Sequence, residues 1–135
     1  MTTKVKHPDR LAEQINNILS NPKSWAQETY HSPCGTKHCI AGHGQIASGK
    51  PMRGITCEAD AKEWYGITSL DAMWLFGAGR TLPELHGFAV AALAGDPYFD
   101  VNGYTRDGFT RDGFNRDYNR DVDSLPQLNI AAIAR

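Results

Sequence analysis

The chain has 135 residues, 41% of them hydrophobic and 21% charged, with 14 basic against 15 acidic side chains and a formal net charge of -1 at pH 7. That length buries one core rather than two, and the composition is that of a globular chain, neither disordered nor membrane-embedded. Near-neutrality leaves no global field to steer the molecule to DNA or to an anionic membrane, so nucleic-acid binding would need a local patch.

The N-terminal stretch carries charge with no apolar run behind it, which predicts neither a secretory signal nor a membrane anchor and makes the expected compartment the cytoplasm. Thiols stay reduced there, so the three cysteines are expected to bind metal, react or be buried rather than form a disulfide. From Asp9 to Ser20, Leu11, Ile15, Ile18 and Leu19 fall on one face of an amphipathic helix that should stop at Asn21-Pro22. Residues 21 to 36 carry turn chemistry around Trp25 and Tyr30. A second helix is expected from Thr36 to Ser48, with Cys39, Ile40, His43, Ile46 and Ala47 on one face; Gly42 and Gly44 there suggest close approach of another backbone or a ligand.

Thr56 is a plausible N-cap for a third helix through Tyr65, closed by Gly66. Thr68 or Ser69 should cap a short apolar helix, Leu70 to Phe76. The fifth opens with Thr81-Leu-Pro-Glu84, a capping box with proline in the first turn, and buries Leu85, Phe88, Ala89, Ala92 and Leu93. The expected fold class is mainly α: a small orthogonal bundle of about five short helices over residues 1–97, then a turn-rich five-residue repeat segment at 98–121. An apolar tail, 122–135, could form a short helix with Leu128, Ile130 and Ile133.

Between His31 and His43 stand His31, Cys34, His38, Cys39 and His43. Read as ligands, His31, Cys34, Cys39 and His43 approach the spacing of a zinc knuckle with rearranged ligand types. Read as catalysts, Cys34 would sit just before a helix N-terminus, where the dipole favours thiolate, with His38 or His43 as base; no Asp or Asn is evidently placed to orient either histidine. A Cys34–Cys39 redox pair lacks the two-residue spacing of thioredoxin-like motifs. Burial and solvation account for the same residues without chemistry.

The run Cys34-Gly-Thr-Lys-His-Cys39-Ile-Ala-Gly42, with Trp25 ahead of it and Tyr65-Gly-Ile-Thr and Leu75-Phe76 behind, resembles small uncharacterised bacterial and phage proteins carrying a Cys-Gly-Thr-x-x-Cys-x-Ala-Gly-Trp motif. The resemblance spans roughly residues 24 to 78 and implies a shared small fold and no reaction. His43 stands where that motif has tryptophan, which suggests a polar neighbour at this position.

The repeat reads Gly103-Tyr-Thr-Arg-Asp107, Gly108-Phe-Thr-Arg-Asp112, Gly113-Phe-Asn-Arg-Asp117, then Tyr118-Asn-Arg-Asp121. A period of five presents one face in neither helix nor strand, and each Asp-Gly junction is a turn signal. Twenty residues make only one coil of a pentapeptide β-helix, too few to stand alone. Arginine beside an aromatic at every step suits single-stranded nucleic acid, but the aspartate after each arginine cancels the charge that drives such binding. Calcium ligation by Asp100, Asn102 and Asp107 fits no EF-hand spacing, and a solvated tail is the plain alternative.

Protein contact explains more of the pattern. The leading expectation is a non-enzymatic interaction protein whose Tyr104, Arg106, Asp107, Phe109, Arg111, Asp112, Phe114, Arg116 and Asp117 meet a protein partner or another copy. Zinc binding or Cys34-dependent catalysis, a repeat that is itself a modification substrate, and single-stranded nucleic-acid binding are the alternatives; no membrane is expected.

Overall fold

A computed structural model describes residues 5–95 and 125–130. The repeat lies outside the described residues, and with it Tyr104, Arg106, Asp107, Phe109, Arg111, Asp112, Phe114, Arg116 and Asp117, as do Asp100 and Asn102. Among the described residues the chain forms five α-helices and no strand, as the sequence predicts: α1 Pro8–Ser20, α2 Ile40–Ala47, α3 Gly54–Tyr65, α4 Ser69–Leu75 and α5 Leu82–Ala94. No helix among them is long and apolar enough to cross a membrane.

Two layers share one core. α1 buries Leu11, Ala12, Ile15 and Ile18 and packs on α5, which buries Leu82, Leu85, Phe88, Ala89 and Ala92. Each large aliphatic side chain so removed from water contributes about 1.5–3 kcal/mol. The second layer is α2 on α3, with Tyr65 fully buried between them and donating its hydroxyl to the Ile40 carbonyl at 2.8 Å.

Local capping chemistry sets most boundaries as the sequence suggests. Thr68 Oγ1 accepts the Asp71 N–H at the start of α4. The Thr81–Glu84 capping box is complete, with the Thr81 N–H on Glu84 Oε1 at 2.8 Å. Gly66 closes α3 at φ 70°, in the left-handed region that favours glycine.

Three expectations shift. α2 begins at Ile40, not Thr36, because the preceding residues are held extended: Trp25 and His38 form an isolated parallel bridge, the His38 N–H binds the Ser24 carbonyl and the Cys39 N–H binds the Thr29 carbonyl. The buried face of α2 is accordingly Ile40, Ala41, Gly42, Gly44 and Gln45, while Ile46 is exposed. α3 starts at Gly54, two residues before the expected Thr56 cap, whose hydroxyl instead accepts a hydrogen bond from Gln45. Residues 125–130, which include Leu128 and Ile130 of the expected tail helix, are not helical, and Ile133 lies outside the described residues. Asn16 of α1 takes both the N–H and the carbonyl of Leu128, at 2.7 and 3.0 Å, holding this part of the tail against the bundle with Leu128 buried.

The glycines of α2 are there for close approach. A Cβ on Gly42 would lie 2.0 Å from the Tyr30 carbonyl oxygen, and one on Gly44 2.8 Å from the Tyr65 ring. Alanine gains about 1 kcal/mol over glycine in helix propensity, and overpacking of a filled core costs about 1–3 kcal/mol. Gly44→Ala should therefore lower stability in urea unfolding, and Gly42→Ala should lower it further, because the obstructing atom is backbone. A midpoint unchanged or raised in both variants would contradict this packing.

Candidate functional site

The Cys/His run lies in the loop before α2 and in α2 itself, and two buried carboxamides shape it. Gln27 accepts the Ile40 N–H at 3.2 Å and the Trp25 indole N–H at 3.0 Å, and donates to the carbonyls of Leu75 and Gly77. It thereby ties the loop to the start of α2 and the end of α4. Gln45, fully buried, accepts the Arg53 N–H at 3.0 Å, and its amide nitrogen faces the Arg53 carbonyl, Thr56 Oγ1 and Asp60. That amide hydrogen bond, opposed only in part by desolvation, holds the Asp60 carboxyl below its usual range.

The Gln45 oxygen also meets His31 Nε2 at 2.6 Å. Since the oxygen can only accept, Nε2 carries the hydrogen. With both rings neutral, His31 Nδ1 then accepts, and His38 Nδ1, 2.7 Å away, donates. His43 continues the row, edge-on to His38 at 5.4 Å between ring centroids, and donates from Nε2 to the Ser24 carbonyl at 3.1 Å. The polar neighbour suggested for position 43 is this carbonyl. Burial holds the His43 imidazole down to about 4 against the opposing pull of the Ser24 carbonyl, and the neighbouring His38 and His31 add to the lowering whenever they are protonated. Burial, then His31, lowers His38 as well.

The cysteines divide. Cys39 is the N-cap residue of α2, its sulfur accepting the Gly42 N–H at 3.3 Å, so the helix-start position assigned to Cys34 belongs to Cys39. Cys57 of α3, outside the His31 to His43 run, neighbours Cys39; both are buried, and Cys57 Sγ lies 4.0 Å from His31 Nε2. The contact lowers the Cys39 thiol against the opposing effect of burial, and raises Cys57 together with burial.

Cys34 faces solvent in a tight turn, 2.9 Å from Thr36 Oγ1 and 3.5 Å from Ser32 Oγ. Those hydroxyls stabilise the thiolate and bring the thiol down to about 7, Thr36 contributing most. No histidine is among its hydrogen-bond partners: His38 is committed to His31, and His43 to Ser24.

The structure therefore brings together His31, His38, His43, Cys39 and Cys57, and separates Cys34 from them. Among the described residues no group of three or more His, Cys, Asp or Glu side chains is arranged to hold a metal ion. Gln27, Gln45 and Cys57 escape a reading based on ligand spacing; the one available signal is Gln45, a large polar residue inside the apolar stretch Ile40–Ala47. The chain matches no protein-family model, no curated protein and no solved structure.

Two measurements probe this arrangement. Alkylation by iodoacetamide should modify one thiol of the native protein rapidly, Cys34, with a rate midpoint near pH 7; Thr36→Val should move that midpoint upward. A midpoint at or above about 8.5, the value of an ordinary thiol, would contradict the hydroxyl contacts.

The second concerns acid stability. His43 and His38 fold neutral with depressed affinity for protons, so unfolding takes up protons on them. Their contribution is constant above about pH 6.5, where the unfolded imidazoles titrate, and is lost progressively as pH falls towards the folded value, about 4 for His43. For His43 alone the loss approaches about 3 kcal/mol at most. His43→Gln should flatten the fall of melting temperature between pH 6.5 and 4.5. An identical pH profile in the variant would refute the assignment.

Proposed function

We propose that the protein is a non-enzymatic interaction protein: the helical bundle is a scaffold, and the Gly-aromatic-Thr/Asn-Arg-Asp repeat is its contact surface towards a protein partner or another copy of the chain. The observation that carries this reading is the repeat itself, which sets Tyr104, Phe109 and Phe114 two residues ahead of Arg106, Arg111 and Arg116. Aromatic rings give contact area at small entropic cost, and arginine with aspartate gives paired, geometrically specific hydrogen bonds.

The bundle's own polar chemistry supports the reading. The Cys/His side chains that invite a catalytic or metal assignment are engaged in holding the loop, capping α2 and packing on one another. One observation favours a second reading, thiol chemistry at Cys34: an exposed sulfur brought down to about 7. That reading lacks a neighbouring base.

Replacing Tyr104, Phe109 and Phe114 together by serine in the full-length chain should weaken association at least tenfold in sedimentation or co-purification assays, with the helical circular-dichroism signal unchanged. Cys34→Ser should leave association as it is. Undiminished association of the triple-serine variant would sink the proposal, and loss of association on Cys34→Ser alone would move the function to the thiol.

A further inference from the structure

A groove of about 470 Å³ opens between the loop at Gln27 to Tyr30, α3 and the end of α4. Its acidic sides are Glu28 and Glu58, and Tyr30, Met73 and Phe76 also line it; among the described residues no lysine or arginine does. Among the described residues Glu28 makes no hydrogen bond or ion pair and Glu58 is engaged by the Tyr30 hydroxyl, so neither carboxylate has a cationic partner there. Met73 is 75% exposed, and Ile55, one turn before Glu58 on α3, is 95% exposed. Large apolar side chains left in water beside unpaired carboxylates mark a contact surface for something both apolar and cationic.

The chemistry that fits is a guanidinium between the two carboxylates with a ring laid on the exposed methionine. Arginine pairs carboxylates through fixed, fork-like donors, and thioether sulfur favours a ring. The chain supplies that combination itself, in arginines two residues after an aromatic at Tyr104/Arg106, Phe109/Arg111, Phe114/Arg116 and Tyr118/Arg120. The groove is built by α3, α4 and the loop before α2. The two ends of the repeat-bearing segment are held elsewhere, at the close of α5 and, through Leu128 and Pro126, on Asn16 of α1 and His86 of α5.

We propose that this groove receives an arginine-aromatic unit of the repeat from a second copy of the chain, the arginine between Glu28 and Glu58 and its ring on the exposed Met73. The assignment rests on the repeat being the contact surface and names what it contacts. Because each arginine is followed by aspartate, the attraction acts at contact range rather than through a long-range field.

The test is a charge exchange between full-length variants, read by sedimentation velocity at 0.15 M salt, where screening acts over about 8 Å. One variant carries Glu28→Lys and Glu58→Lys; the other carries Arg106→Glu, Arg111→Glu, Arg116→Glu and Arg120→Glu. The wild-type chain should self-associate, each variant alone should do so at least tenfold more weakly, and an equimolar mixture should recover association, because groove and repeat are again complementary in both directions. Glu28→Gln with Glu58→Gln, milder for folding, should also weaken association, and circular dichroism confirms that every variant keeps its helices.

A wild-type chain that stays monomeric throughout overturns the proposal. So does a groove-reversed variant that associates like wild type: if the repeat-reversed variant has then lost association, the repeat remains the contact surface and only the groove is wrong. If neither reversal matters, both readings fall.

Discussion

The carboxamide of Gln45 is the constraint on which the rest of the bundle depends. It is a fully buried polar side chain on a short helix, and its hydrogen bonds go to the first two turns of α3 with the residue before them, Arg53, and to His31 of the preceding loop. A buried donor or acceptor left without its partner costs about 1–3 kcal/mol, so these groups hold one relative placement of loop, α2 and α3. Gly44, one residue earlier, admits the Tyr65 ring and so brings α2 close enough to α3 for the amide to reach. From His31 the order passes outward: one imidazole fixes the hydrogen of the next, and the extended segment through His38 leaves Cys34 in the exposed turn.

Gln27 plays the corresponding part on the other side of the loop. By engaging the Ile40 N–H it occupies a donor that α2 leaves unpaired at its start, and by donating to Leu75 and Gly77 it sets where the chain leaves α4. The groove beside Glu28 and Tyr30 has its shape from this link, since Phe76, Gly77 and Ala78 form one of its walls. Interior hydrogen bonding and exterior surface are thus coupled through one residue.

What the sequence discloses follows from the range of the interactions. Thr68, the Thr81–Glu84 pair and Gly66 act within one turn of their own helices, so residue type and spacing are enough to place them. Apolar periodicity likewise finds α1, whose buried face is that of an amphipathic helix. The start of α2 is different. Thr36 looks like a helix beginning, but hydrogen bonds from His38 to Ser24 and from Cys39 to Thr29 keep the chain extended, and they connect residues 10 to 14 positions apart. The thiol pair illustrates the same limit: Cys57 reaches Cys39 from 18 residues away across the α2–α3 contact, while Cys34, five residues from Cys39, is elsewhere. Crowding of cysteine and histidine in sequence becomes crowding of imidazoles in space, with the exposed thiol left out.

This division bears on how the molecule can assemble. On the proposed contact the groove of each copy meets four arginine-aromatic units, so a bound repeat would have several registers, five residues apart over the first three units and four to the last, each a separate way of forming the same contact. Reciprocal insertion between two copies closes the pair, since each groove is filled by the other's repeat and the interface is self-complementary. One-way insertion leaves a free groove and a free repeat at opposite ends and extends into an open chain. Linking the two contacts makes the second intramolecular, with an effective concentration set by the chain that joins groove and repeat. Dilution therefore favours the closed pair over the open chain, because the pair makes two contacts while bringing together only two copies.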